Sequence, residues 1–188
     1  MKVPLSAGHE GDRPDYATTS PLPSSILAIV ALGSNQGDSP RIILAALERL
    51  KALSDQPLLQ SSLWRTTPVD CPSGSPSFVN AVAGLVPLAG ETPETFLAKL
   101  QALEKEFGRP PKVVQNEPRV LDLDLILFGL ETRATPPLVL PHPRAHQRRF
   151  VLQPLSEIAP ELVWPGRNKT VAALLGGLGS EEVLRHIG

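Results

Sequence analysis

An α+β fold is predicted for this chain, on three observations made on its sequence alone. Short apolar runs alternate with two longer segments whose apolar residues recur at helical spacing. These elements follow one another in the order β-α-β-β-α-β. The 188 residues, 41% hydrophobic and 20% charged, suffice for one well-packed domain and are too few to expect two.

Residues 1–24, MKVPLSAGHEGDRPDYATTSPLPS, lack apolar periodicity and are scattered with Pro, Gly and Ser. A disordered or loosely held tail is expected there, followed by a single folded domain over 25–188. ILAIVAL (26–32) reads as the first strand. It could pass for the apolar core of a signal peptide, but acidic and proline-containing sequence precedes it and no small-residue cleavage site follows. The turn-rich GSNQGDSP leads into RIILAALERLKAL, where Ile42, Ile43, Ala46, Leu47 and Leu50 have helical spacing. LLQSSLWRT (58–66) reads as the second strand and FVNAVAGLV (78–86) as the third, joined by the proline-heavy TPVDCPSGSPS. The second helix has Thr92 as N-cap, Pro93 at its first position, an apolar stripe of Phe96, Leu97, Leu100 and Leu103, and an end at Gly108. After RPPKVVQNEPR comes the fourth strand, LDLDLILF. This is the split arrangement of a ferredoxin-like sheet, mostly antiparallel and covered by helices as an α/β sandwich. TVAALL and SEEVLRHI add two short helical patterns near the C-terminus, and there is no internal repeat.

Composition excludes several classes of function. A formal net charge of −1 argues against binding nucleic acid by general electrostatics. Cys71 is the only cysteine, which rules out an internal disulfide and a cysteine-based zinc site and fits a reducing interior. No run reaches the roughly 18 apolar residues that cross a bilayer. A soluble, cytoplasmic, monomeric protein is the expectation, without membrane or nucleic-acid partners.

The fourth strand carries the strongest chemical signal. Leu121, Leu123, Leu125 and Leu127 alternate onto one face, and Asp122, Asp124, Ile126 and Phe128 onto the other. A solvent face would stay polar to its end, whereas this one turns apolar after Asp124, so the strand is buried on both sides with two acids at one end. Two like charges placed so need a cation, since unpaired buried ions cost several kcal/mol. Carboxylates at i and i+2, about 6.5–7 Å apart at their bases, can converge on one ion or on two. Oxygen ligands with no histidine beside them favour Mg²⁺ over zinc. An ion cluster of the two acids with Arg119 and Arg109 is the structural alternative.

Arg109 and Arg119 flank the loop before the acids, with Lys112 between them, while Arg144, Arg148 and Arg149 crowd the stretch after LPHP. Arginine forks match phosphate oxygens, so the loop reads as a flap over a polyanion or as an exposed basic loop. Aromatics are scarce at 4%, which draws attention to Phe78 at the head of the third strand and to Phe150. Asn80 shares the face of Phe78 on an apolar strand, where its amide needs partners and could read the edge of a flat heterocycle. His142 between two prolines has too little context to interpret, and Gly33-Ser34-Asn35 completes no known phosphate-loop fingerprint.

ALGSN, FVNAV, LEKEFGR, PRVLDLDLILFG and LPHPRAHQRRFVLQPLSEIAPEL, in this order and spacing, closely resemble the 6-hydroxymethyl-7,8-dihydropterin pyrophosphokinases of folate biosynthesis. The resemblance covers roughly residues 26–165. It implies transfer of the β,γ-pyrophosphoryl group of ATP to the pterin hydroxymethyl oxygen, with release of AMP. It also implies that Asp122 and Asp124 hold two Mg²⁺ ions, and that Arg109 and Arg119 engage ATP. Phe78 and Phe150 would sandwich the pterin, Asn80 would bond its edge, and groups around Thr66 and Val69 would complete that pocket. Gln101, Glu104, Lys112, Leu125, His142 and Arg148 would contact nucleotide. Asp124, a metal-bound pathway and solvent stay open as acceptors of the hydroxymethyl proton. Where family members often have tryptophan near the end of the flap this chain has Asn116, Pro111 stands where some carry arginine, and Pro137 and Val139 replace polar nucleotide contacts. A catalytically idle nucleotide- or pterin-binding module and a Mg²⁺-dependent phosphohydrolase are the alternatives from other classes.

Overall fold

The structure, a computed structural model, describes residues 27–67, 74–108, 119–179 and 184–187. The expected tail, and the roles expected of Val69, Arg109 and Lys112, lie outside the described residues. Three layers are formed by β1 (Ala28–Ser34), α1 (Ser39–Leu50), β2 (Leu59–Gln60), β3 (Leu63–Thr66), β4 (Phe78–Leu85), α2 (Pro93–Glu106), β5 (Asp122–Phe128), β6 (Arg133–Thr135), β7 (Leu138–Leu140), α3 (Arg149–Ile158), α4 (Val171–Gly176) and β8 (Leu184–Ile187). The main sheet runs β5-β1-β4-β3-β8, with β2 also on β4, and every pairing is antiparallel. The first five predicted elements and the acid strand thus take the ferredoxin-like order.

Local chemistry sets the helix starts. The Asp38 carboxylate accepts from the Arg41 N–H at the head of α1. At α2, Thr92 and Thr95 form a reciprocal capping box, with Pro93 in the first turn. Ile43, Ala46, Leu47 and Leu50 of α1 join Phe96, Leu100 and Leu103 of α2 over one face of the sheet, against Val30, Leu32, Val79, Ala81, Leu123 and Leu125. The opposite face carries a second core, in which Ile29, Val82 and Ile126 meet Val151, Leu152 and Leu155 of α3, Trp164, and Val171 of α4. The α3 layer is tied down by Glu157, whose carboxylate accepts from the Trp64 indole N–H at 2.7 Å and from the Ser62 N–H at 2.8 Å.

Three local departures from the sequence reading have physical causes. The second strand divides into β2 and β3 because the register on β4 slips between Gln60↔Ala83 and Trp64↔Asn80, where the Ser61 hydroxyl accepts from the Val82 N–H. SEEVLRHI ends in strand β8, since the free edge of β3 offers ladder partners that outweigh a short helical spacing. On β5, Ile29 pairs with Leu127 and Val30 with Leu125, so Ile126 is an extra residue. Beyond this bulge the faces exchange, and Leu127 enters the α3 core while Phe128 enters the α1–α2 core. The alternation predicted for Leu127 and Phe128 is thereby reversed. A short hairpin of β6 and β7, not read from the sequence, follows β5.

Phe128 now meets Phe96 edge-on, with ring centroids 5.8 Å apart. A double-mutant cycle of Phe96→Leu and Phe128→Leu, read by urea unfolding, should therefore show a coupling of about 0.5–1.5 kcal/mol. Strict additivity would place the rings on opposite faces, as an unbulged strand requires.

Candidate functional site

Antiparallel register gathers the site at one end of the sheet. Asp122 pairs with Gly33, Gly33 with Asn80, and Asn80 with Trp64, so one row crosses four strands. Even-numbered residues of β4 face the α3 layer, as Val82 shows, and this sets Phe78 and Asn80 on that face. Asp122 and Asp124 share the face, because Leu123 and Leu125 point into the opposite core. Asn80 is 6% exposed, and its amide donates to the Thr66 hydroxyl at 2.8 Å. Gly33 is what makes room for it. A β-carbon there would lie 3.2 Å from the Asn80 Oδ1 and 3.9 Å from Phe78. At the head of α3, Phe150 packs against the second core and carries the Arg148 guanidinium 5.3 Å from its ring centroid.

The outer edge of β5 borders a cleft of about 930 Å³, open to solvent and lined by Asp122, Leu123, Asp124 and Leu125. Its other walls are Leu97, Gln101, Glu104 and Lys105 of α2, and residues 137–139, His142 and Pro143. Gln101, Glu104, Leu125 and His142, named from the sequence, are thus brought together with both acids. Leu97, Lys105, Leu138 and Pro143 were not anticipated, and nothing in their residue types marks them. Arg133 holds the β6–β7 wall to α2 through Glu94 and also pairs with Glu131. Glu104 is 6% exposed, and its carboxylate accepts from the Leu123 N–H at 2.7 Å. It therefore grips the strand between the two acids.

The charges around Asp122 answer the cation requirement in part. The Arg119 guanidinium lies 2.6 Å from the Asp122 carboxylate, with the two side chains 15% and 21% exposed. The residues also suit a hard divalent cation. Two carboxylates share a face, and among the described residues no group of three or more His, Cys, Asp or Glu forms a cage. An ion here would complete its shell with water and phosphate oxygens, as Mg²⁺ does. His142 is held neutral by its surroundings. Burial, and then the positive charges of Arg148 and Arg144, push its pKa down to about 4. Its Nδ1 accepts from the Arg144 N–H, so the proton sits on Nε2.

Fold and site together define a small α+β domain of ferredoxin-like order, with paired acids between a cleft and an aromatic face of the sheet. Residues 29–160 match the family model described as 7,8-dihydro-6-hydroxymethylpterin-pyrophosphokinase, HPPK, and the chain belongs to that family. It is 40% identical over 137 residues to the 2-amino-4-hydroxy-6-hydroxymethyldihydropteridine pyrophosphokinase of Pseudomonas aeruginosa, covering 72% of this chain and 82% of that one. It is 36% identical over 144 residues to the folic acid synthesis protein fol1 of Pneumocystis carinii, covering 77% of this chain but 19% of that longer protein. The crystal structure of wild-type Plasmodium falciparum HPPK-DHPS with pteroate superposes at a TM-score of 0.63 and 14% identity, over 81% of this chain and 42% of that one. That likeness is one of fold.

The His142 pKa lies below the ordinary value of 6.5, so acid disfavours the folded state. Between about pH 6.5 and 4 the unfolded chain takes up a proton that the folded chain refuses, and stability falls as pH falls through that window. Above pH 6.5 the residue contributes no slope. Urea midpoints measured without nucleotide or divalent cation should fall less steeply over this window in His142→Gln than in wild type. Equal slopes would mean that His142 titrates normally.

Proposed function

We propose that this chain transfers pyrophosphate from ATP to the hydroxymethyl oxygen of 6-hydroxymethyl-7,8-dihydropterin. The observation that carries this reading is the position of Asp122 and Asp124. They line the β5 cleft and share the sheet face of Phe78 and Asn80, with Asp122 two strands, or about 9–10 Å, from Asn80. A donor in the cleft and an acceptor on the face would meet at the acids. Family membership supports the same reaction.

ATP would lie along the cleft with Gln101, Leu125 and the His142 Nε2–H as contacts, and Lys112 and Arg148 at its phosphates. Phe78 and Phe150 would stack on the pterin. The Asn80 amide, fixed by Thr66, would bond its edge, alongside Val69. The hydroxymethyl oxygen then attacks the β-phosphorus. The new O–P bond forms as the bond from that phosphorus to the oxygen bridging the α-phosphorus breaks, and AMP leaves with the electron pair. The hydroxyl proton passes to the Asp124 carboxylate or to solvent. Arg109 and Arg119 counter the charge on the transferring group, so the protein's work is positioning and neutralisation. Asp122 and Asp124 would hold Mg²⁺, which supplies charge neutralisation and alignment of the phosphate oxygens. A cytoplasmic, monomeric enzyme is part of this reading.

A product assay with ATP, Mg²⁺ and 6-hydroxymethyl-7,8-dihydropterin tests it. Wild type should release AMP and pterin diphosphate in equal amounts, and Asp122→Ala should lose at least about 100-fold in rate. AMP released without pterin would indicate a hydrolase, and no AMP from folded wild type an idle binding module.

A further inference from the structure

Asn35 ties the β1–α1 loop to the arginine beside the acids. It follows β1 directly, is 6% exposed, and forms two bonds with a residue far away in sequence. Its backbone N–H donates to the Arg119 carbonyl at 3.1 Å, and its side-chain Oδ1 accepts from the Arg119 N–H at 2.8 Å. The β1–β5 ladder ends at Gly33↔Asp122, and beyond it the chain after β1 turns toward α1. The Asn35 carboxamide takes the place of the ladder carbonyl that the turn removes. Loss of the carboxamide would remove this acceptor from the half-buried Arg119 N–H, at a cost comparable to a lost hydrogen bond.

Arg119 is thus held at both ends. Its backbone is clamped by Asn35, and its guanidinium meets Asp122 at 2.6 Å. The direction in which an arginine fork approaches a phosphate depends on where its Cα is fixed, and displacements near 1 Å in a transferase site can cost on the order of 100-fold in rate.

We infer that Asn35 is a positioning residue for pyrophosphoryl transfer, setting the Arg119 guanidinium against the transferring group through this two-bond clamp. The inference rests on the reaction proposed above. It predicts a defect in turnover, because the two bonds of Asn35 run to the Arg119 backbone and Asn35 is not among the described residues that line the cleft.

The test is a double-mutant cycle on the full chain, with kcat and the KM for each substrate measured for wild type, Asn35→Ala, Arg119→Ala and the double variant. Asn35→Ala should lower kcat by about 10–100-fold, keep the KM for the pterin within about threefold, and have no further effect in the Arg119→Ala background. Losses that multiply in the double variant would overturn the inference, as would wild-type kcat in Asn35→Ala. Asn35→Asp, which keeps the acceptor oxygen, should restore kcat to within about threefold of wild type. A loss as large as alanine's would also overturn it. Amide hydrogen exchange at Arg119 reads the clamp without turnover and should quicken in Asn35→Ala but not in Asn35→Asp. Wild type that makes no AMP contradicts the reaction itself, whereas active wild type with multiplying losses contradicts the role of Asn35 alone.

Discussion

Two carboxylates at the end of an edge strand are the constraint on which the rest of this structure depends. Asp122 and Asp124 stand on the same face of β5, and the strand that carries them is otherwise apolar and buried. Both acids are only half-buried beside an open cleft, so the cost of leaving them unpaired is smaller than for fully buried ions, yet two like charges side by side still favour a cation between them. Arg119 meets part of that demand at Asp122. Its own position is fixed by Asn35, and the strand between the acids is gripped by Glu104.

The sheet turns this local demand into a site. Because every neighbouring strand is antiparallel, the end of β1 and the starts of β4 and β5 coincide, and one row carries Asp122, Gly33 and Asn80 side by side. α1 and α2 cover one face and leave the outer edge of β5 to form a cleft with the β6–β7 wall. On the other face, α3 packs against β4 and brings in Phe150 and Arg148. Two surfaces, the β5 cleft and the face that carries Phe78 and Asn80, therefore flank the acids. The small size of Gly33 matters because a side chain there would press on Asn80, which Thr66 already holds.

Much of this was legible in the sequence, for definite reasons. Thr92 and Pro93 mark a helix start by the backbone hydrogen bonds they supply or do not need, and Phe96, Leu100 and Leu103 mark its face. The Asp-Leu-Asp alternation shows which residues face apart, and the later apolar residues show that both faces are buried. What stayed hidden depended on long-range geometry. In Leu125–Ile126–Leu127–Phe128 every side chain is apolar, so no pattern can mark the bulge that exchanges their faces. β8 is a strand because β3 has an edge to offer, which a short local spacing does not record. Asn35 has its partner at Arg119, and only the fold brings the two together. His142 gains its meaning from Arg144 and Arg148 beside it and from its burial.

The most direct test of the carboxylate constraint is a calorimetric titration with a non-hydrolysable ATP analogue, in Mg²⁺ and again in chelator. In wild type the chelator should weaken binding by at least about tenfold. The paired substitution Asp122→Asn with Asp124→Asn should bind equally in both conditions. Wild-type affinity that is the same with and without Mg²⁺ would contradict the view that these acids exist to gather positive charge around a polyphosphate.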